Sequence, residues 1–180
     1  MELIDIPFDR FALSPLSALD KGWFLLSAGD LAAGDWNCMT VSWGAFGVIW
    51  GRPMAMVVVR PSRFTHGFTE RHDSFTLAAF PESLRPALEY CGSHSGRDGD
   101  KAKACGITPV AARGVKAPAF AEAELVVECR KTYAEQLEPG HFLADWIEAN
   151  YPNKDYHTMY FGEIVAISGT PKYLVGGSGE

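Results

Sequence analysis

Residues Asn37 to Thr65 read N-C-M-T-V-S-W-G-A-F-G-V-I-W-G-R-P-M-A-M-V-V-V-R-P-S-R-F-T. Asn37–Trp43 mixes β-branched, polar and apolar residues and reads as a strand. Met54–Val59 is an uninterrupted apolar run, the pattern of a strand buried within a sheet. Between them Gly44, Gly47 and Gly51-Arg52-Pro53 punctuate a segment carrying Trp43, Phe46 and Trp50, which reads as a turn region. Pro61 stops the second run, and the stretch ends in hydroxyls and arginines, Arg60-Pro61-Ser62-Arg63-Phe64-Thr65.

Further strands flank this stretch. Phe24–Ala28 is closed by Gly29-Asp30, and Ser74–Phe80 is ended by Pro81. Ala123–Leu137 alternates Leu125, Val127 and Cys129 against Val126, Glu128 and Arg130, as a half-buried strand does. Met159–Ser168 is the last. Helices are expected from an N-capping Ser62 through about His72, over Glu82–Tyr90, and over Gly99–Cys105 with Asp98 as cap and Gly106 as stop. Another is expected from Pro139 through about Ala149, where Phe142, Leu143, Trp146 and Ile147 recur at helical spacing. Strands outnumber helices, and no regular crossover helices separate them. The chain is therefore expected to be mainly β with inserted helices, an antiparallel barrel or sandwich. Residues 1–175 read as one domain and 176–180 as a mobile tail.

With 180 residues the chain can bury a sizeable core, and its net charge of −6 speaks against general nucleic-acid binding. No apolar stretch is long enough to span a bilayer, and the N-terminus lacks the order of a secretory signal, so a cytoplasmic protein without a membrane partner is expected. Cys38, Cys91, Cys105 and Cys129 are scattered and form no Cys-x-x-Cys, so neither a metal site nor a disulfide framework is expected. Cys38 and Cys129 fall in strands and read as small core residues.

Arg60-Pro61-Ser62-Arg63-Phe64-Thr65 sits where an apolar strand meets a helix start, with its unpaired N–H groups and positive dipole end. Hydroxyls from Ser62 and Thr65 and forked donors from Arg60 and Arg63 would suit a terminal phosphate. On spacing alone the plainer reading comes first: a capping serine followed by solvated arginines. Thr40 and Ser42 share one face of a strand and could hydrogen-bond a planar polar ring, or simply be exposed hydroxyls. Ser93-His94-Ser95-Gly96-Arg97-Asp98-Gly99-Asp100-Lys101 is a second polar concentration, equally readable as a solvated loop. His157, at the start of the last strand, could donate to a reduced ring or a substrate, although a lone histidine there is more often structural. The chain has no G-x-S-x-G, no P-loop and no G-x-G-x-x-G opening a helix.

In these segments the chain resembles the flavin reductase-like family of FMN-binding split barrels, especially its flavoredoxin-like members. The matching residues are Asn37-Cys38-Met39-Thr40, Ser42-Trp43-Gly44, Trp50-Gly51-Arg52-Pro53, Val59 to Thr65, Tyr90 to Asp98, Asp100-Lys101 and Tyr156 to Ile164. The resemblance implies a homodimer with a Greek-key split barrel, each subunit holding FMN non-covalently near the dimer interface. It also implies an oxidoreductase that takes electrons from NAD(P)H to bound or free flavin and on to an acceptor. A non-catalytic FMN-binding electron carrier or redox partner is the alternative. Carried over by position, Ser62, Arg63 and Thr65 would hold the phosphate with help from Arg60. Asn37, Thr40 and Ser42 would contact the ring or ribityl chain, and Ser95, Arg97 and Lys101 would close over the cofactor. His66-Gly67 departs from the larger residues expected after Thr65, which would loosen the helix below the phosphate. No nicotinamide-binding fingerprint is recognisable. A flavin carries the redox chemistry itself, so the want of an acid–base or nucleophile constellation is expected of such a protein.

Overall fold

The computed structural model describes residues 2–176; 177–180 of the expected mobile tail lie outside the described residues. The strands are β1 (Ile4–Asp5), β2 (Phe24–Asp30), β3 (Asp35–Val41), β4 (Gly44–Ile49), β5 (Arg52–Val59), β6 (Ser74–Ala79), β7 (Pro109–Val110), β8 (Ala119–Phe120), β9 (Leu125–Gln136) and β10 (Thr158–Gly169). The helices are α1 (Pro15–Ser17), α2 (Phe64–Arg71), α3 (Arg85–Ser93) and α4 (Lys101–Cys105).

The main sheet has the order β3-β2-β6-β9-β10-β5-β4, with β1 added on β10; β7 and β8 pair separately. All pairings are antiparallel. Its two edges, β3 and β4, are consecutive in the chain and joined only by Ser42 and Trp43. The sheet must therefore curl until its first and last strands lie within a two-residue link of each other. Register shifts along β9 and β10, between Phe161 and Gly162 and between Ile164 and Ala166, help bend it. Gly162 permits the bend, since a Cβ there would lie 2.7 Å from Cys129 Cβ and from the Phe75 ring.

Alternation along the strands builds two cores. Phe24 and Leu26 of β2 join Val57, Val59, Phe75, Leu77, Val127 and Tyr160 inside the curl, with Phe68 of α2. Leu25 points the other way, to a second cluster with Cys38, Leu88, Cys91, Phe120 and Val126 beneath α3 and α4. Burial on both faces explains why β2 reads as a continuous apolar run.

Several elements differ from the sequence expectation. The segment read as a turn region contains strand β4, and only Trp50 and Gly51 turn, with φ of 54° and 69°. Two consecutive positive φ values make a tight hairpin whose twist matches its strands. Gly44 looks like punctuation but is a packing residue, because a Cβ there would meet the Met56 carbonyl at 2.4 Å. β9 is buried on both faces through Cys129 and exposed only beyond it. The Glu128 carboxylate is buried there and accepts the amides of Arg113 and Gly114 at 2.9 and 2.6 Å.

The expected helix through Ala149 is replaced by two 3-10 turns, Pro139–His141 and Asp145–Asn150. Its apolar stripe finds no core: Leu143 is 99% and Trp146 73% exposed. Asp100, not Asp98, caps the helix that Gly106 ends, its carboxylate accepting from Lys103 N. Ser62 does not cap α2, because Arg63 occupies the cap position without a side-chain bond. The scattered cysteines partly converge: Cys91 and Cys105 sulfurs lie 3.9 Å apart as free thiols, with Cys38 in the same buried cluster. Among the described residues no helix is long and apolar enough to cross a membrane.

Candidate functional site

A cleft of about 280 Å³ opens along the seam between β3 and β4. Met39, Thr40 and Val41 form one wall, the link residues Ser42 and Trp43 its end, and Val58, Arg60, Arg63, Gly92 and His157 the rest. Beyond Arg63 lies a smaller pocket of about 150 Å³, lined by Ser62, Phe64, Thr65, Ser93, His94, Ser95, Gly96, Arg97 and Lys101. Arg63 lines both. Sequence-distant segments meet here because α2 follows β5 directly and the α3–α4 loop packs over β3.

The smaller pocket is cationic. Arg63, Arg97 and Lys101 line it, and among the described residues no carboxylate does. The Arg63 guanidinium donates to the Gly92 carbonyl at 2.6 Å, and Arg97 reaches the Ser62 carbonyl at 3.4 Å while lying 5.0 Å over the Phe64 ring. Lys101 is only 5% exposed and donates to the Cys91 carbonyl at 3.2 Å. Burial holds the pKa values of both Arg63 and Lys101 below their ordinary ranges. Buried cations without a carboxylate partner favour an anion between them.

Asn37 and Thr65 frame this pocket. Asn37 Nδ2 donates to Thr65 Oγ1 at 2.8 Å, and Thr65 Oγ1 donates to the Cys38 carbonyl at 3.3 Å. The Thr65 hydroxyl is thus committed within the protein, leaving the helix start to offer backbone amides. Gly96 closes against the same frame, since a Cβ there would lie 2.3 Å from Asn37 Oδ1. Ser95 Oγ accepts from the Arg97 amide at 3.2 Å, which shapes the loop.

Arg60 and Ser62 line these cavities, but their side-chain donors are engaged by the loop before β10. Arg60 donates to Asp155 at 2.7 Å and to the Asn150 carbonyl at 2.8 Å, and Ser62 Oγ donates to Asp155 at 3.0 Å. These bonds dock the loop before β10 beside the cleft. Thr40 donates to the Leu88 carbonyl, so its hydroxyl offers the cleft only lone pairs. His157 is 8% exposed; its Nδ1 lies 2.9 Å from the Tyr151 hydroxyl and its ring 5.2 Å from Trp43. Burial, then the Arg60 cation, push its pKa down to about 4, with Asp155 opposing. The ring is therefore neutral at neutral pH.

All the candidate residues but Asn37 thus line two adjoining cavities, although the side chains of Arg60 and Ser62 bond to Asp155; Asn37 lines a third cavity that shares Phe64, Gly96 and Lys101 with the smaller pocket. The sequence reading missed Asp155 and Tyr151. No local spacing pairs Asp155 with Arg60 across 95 positions. A small cationic pocket opening through one arginine into a larger cleft can seat a phosphate monoester with a planar group attached. The donor set suits a phosphate group, and Gly96 lets the α3–α4 loop pack its backbone against Asn37 and Phe64 beside it.

The curled, unclosed antiparallel sheet is that of the FMN-binding split barrels. It superposes on flavoredoxin from Methanosarcina acetivorans with a TM-score of 0.67 at 25% identity, covering 100% of this chain and 82% of that one. Flavoredoxin of Desulfovibrio vulgaris (Miyazaki F) is similar with a TM-score of 0.65 and 23% identity over 83% of this chain and 70% of that one. The FMN-binding domain of a flavin reductases-like enzyme from Shewanella baltica OS155 gives 0.67 and 19%, over 93% and 77%. None of the curated proteins matches the chain. The family model described as the flavin reductase like domain matches residues 16–174, and the chain belongs to that family.

Proposed function

We propose that the protein is an FMN-binding oxidoreductase that accepts reducing equivalents from NAD(P)H and passes them to free flavin, oxygen or a protein acceptor. One observation carries this reading: Arg63 lines both the cationic pocket and the seam cleft, so one ligand can place a phosphate in the first and a ring in the second. When bound, FMN supplies the hydride and electron transfer. Arg63, Arg97, Lys101 and the amides at the start of α2 would hold its phosphate, with Asn37 and Thr65 fixing the frame. Ser42 and Thr40 would contact the ring or ribityl chain, and Trp43 and His157 would bound the seam cleft. Arg60 and Ser62 would act one step back, by docking the 150–155 loop through Asp155.

We assign the flavin site to a single unit over residues 1–175 and place the protein in the cytoplasm, where a reducing environment keeps its thiols free. A second copy of the chain would cover apolar side chains left in water on this protomer, Val48 at 73%, Trp50 at 67% and Trp146 at 73% exposed. The test is spectroscopic and then kinetic. Protein that is yellow as purified, or gains a flavin absorbance band on addition of FMN, and oxidises NADH or NADPH in the presence of free FMN supports the proposal. Binding without NAD(P)H oxidation for any acceptor identifies a carrier instead, and no flavin band contradicts both.

A further inference from the structure

Tyr151 and His157 form a buried pair that phosphate binding does not use. Tyr151 is 4% exposed and is wedged among aromatic rings, 6.0 Å from Phe142 and 5.0 Å from Tyr156, with the Arg60 guanidinium 5.0 Å over its face. Its hydroxyl has one hydrogen-bond partner among the described residues, His157 Nδ1 at 2.9 Å. A phenol carries one proton and a neutral imidazole carries one, so the tautomer follows from satisfying both. If Nδ1 held the proton, it would donate to the phenol oxygen and leave the phenol proton without an acceptor, an arrangement buried groups avoid. If the phenol donates, Nδ1 is the acceptor and Nε2 carries the hydrogen. Nε2 has no protein partner among the described residues, while the imidazole lines the seam cleft with Ser42 and Arg63.

We propose that Tyr151 is a positioning residue that locks His157 in the Nε2–H tautomer, so that the seam cleft meets a neutral donor suited to a carbonyl oxygen or ring nitrogen of the bound ligand. The identity of that ligand rests on the flavin reading; the tautomer does not. The charged groups around the ring agree with neutrality. Arg60 and Asp155 pair with each other, Arg63 faces the same cleft as a second cation, and Glu148 is engaged by the Tyr156 hydroxyl. Trp43 holds the imidazole on another side, at 5.2 Å.

The experiment is nitrogen NMR of the full chain labelled with ¹⁵N-histidine at neutral pH, with the His157 signals assigned by their loss in His157→Gln. The expected wild-type spectrum has a protonated Nε2 and a pyridine-type Nδ1. In Tyr151→Phe, which keeps the ring and its packing, the two tautomers should mix. FMN affinity should weaken and flavin reduction by NAD(P)H should slow, each by a few-fold and no more than about tenfold, the effect of losing one hydrogen bond to the ligand. A protonated Nδ1 in the wild type, an unaltered tautomer in Tyr151→Phe, or an unaltered reduction rate overturns the assignment. Failure to bind FMN with the tautomers as expected contradicts the flavin reading and supports the positioning role.

Discussion

The Arg63 guanidinium donates to the Gly92 carbonyl at 2.6 Å and thereby ties the start of α2 to the end of α3. One side chain joins the two segments that wall the cationic pocket and also lines the seam cleft. Arg63→Ala should weaken FMN binding by about 1.5–3 kcal/mol, the range for a hydrogen bond to a charged group. Stability should fall by only about 1 kcal/mol, for the Gly92 bond. Flavin fluorescence titration and thermal melting separate the two effects, and unchanged affinity would remove Arg63 from the site.

Gly96 is held close to its neighbours by the absence of a side chain. An added Cβ would fall 2.3 Å from Asn37 Oδ1 and 2.9 Å from the Phe64 ring. Gly96→Ala should displace the amide that bonds Thr65 and cost roughly 1–3 kcal/mol of stability, as overpacking does. FMN affinity should fall with it. A variant that melts and binds like the wild type would show that the loop yields freely.

Arg60 should behave differently from Arg63. Its bonds go to Asp155 and the Asn150 carbonyl, and the ion pair is 27% and 20% exposed, worth about 1 kcal/mol or less. Arg60→Ala is expected to speed limited proteolysis within residues 142–156 while reducing FMN affinity less than Arg63→Ala does. Equal losses of affinity in the two variants would give Arg60 a direct part in holding the ligand.

The neutral His157 gives stability a pH dependence of known sign. Its folded pKa of about 4 lies below the ordinary value of 6.5. Between those values the unfolded chain binds more protons than the folded one, so stability is full above 6.5 and is lost as pH falls toward 4. The loss reaches about 3 kcal/mol at the low end of that window. His66, whose pKa burial also lowers, adds in the same direction. His157→Gln should flatten the fall in melting temperature between pH 7 and pH 5, and an undiminished fall would assign it to other groups.

Most of the sheet was legible because burial dictates composition. β2, β5, β6 and β10 are apolar runs or alternations, and their observed limits agree with the pattern to within about two residues. β4 was illegible because Gly44 marks a close approach to the Met56 carbonyl rather than a turn. Residues 142–149 misled in the opposite sense: their helical spacing is real, but among the described residues Leu143 and Trp146 stay largely uncovered. At the site, the cationic cluster could be read locally, since β5 runs straight into α2. What the sequence could not show was the division of labour among its members. Asp155 claims Arg60 and Ser62, and Asn37 claims Thr65, each through pairings distant in the chain.

The central claim, that the pocket beyond Arg63 receives the terminal phosphate of FMN, is tested most directly by comparing FMN with riboflavin, which lacks only that phosphate. Fluorescence titration of both at one ionic strength gives the two dissociation constants. The account expects saturable FMN binding with riboflavin weaker by at least about tenfold, since several hydrogen bonds to a charged group are lost together. Equal affinity for the two flavins would contradict it.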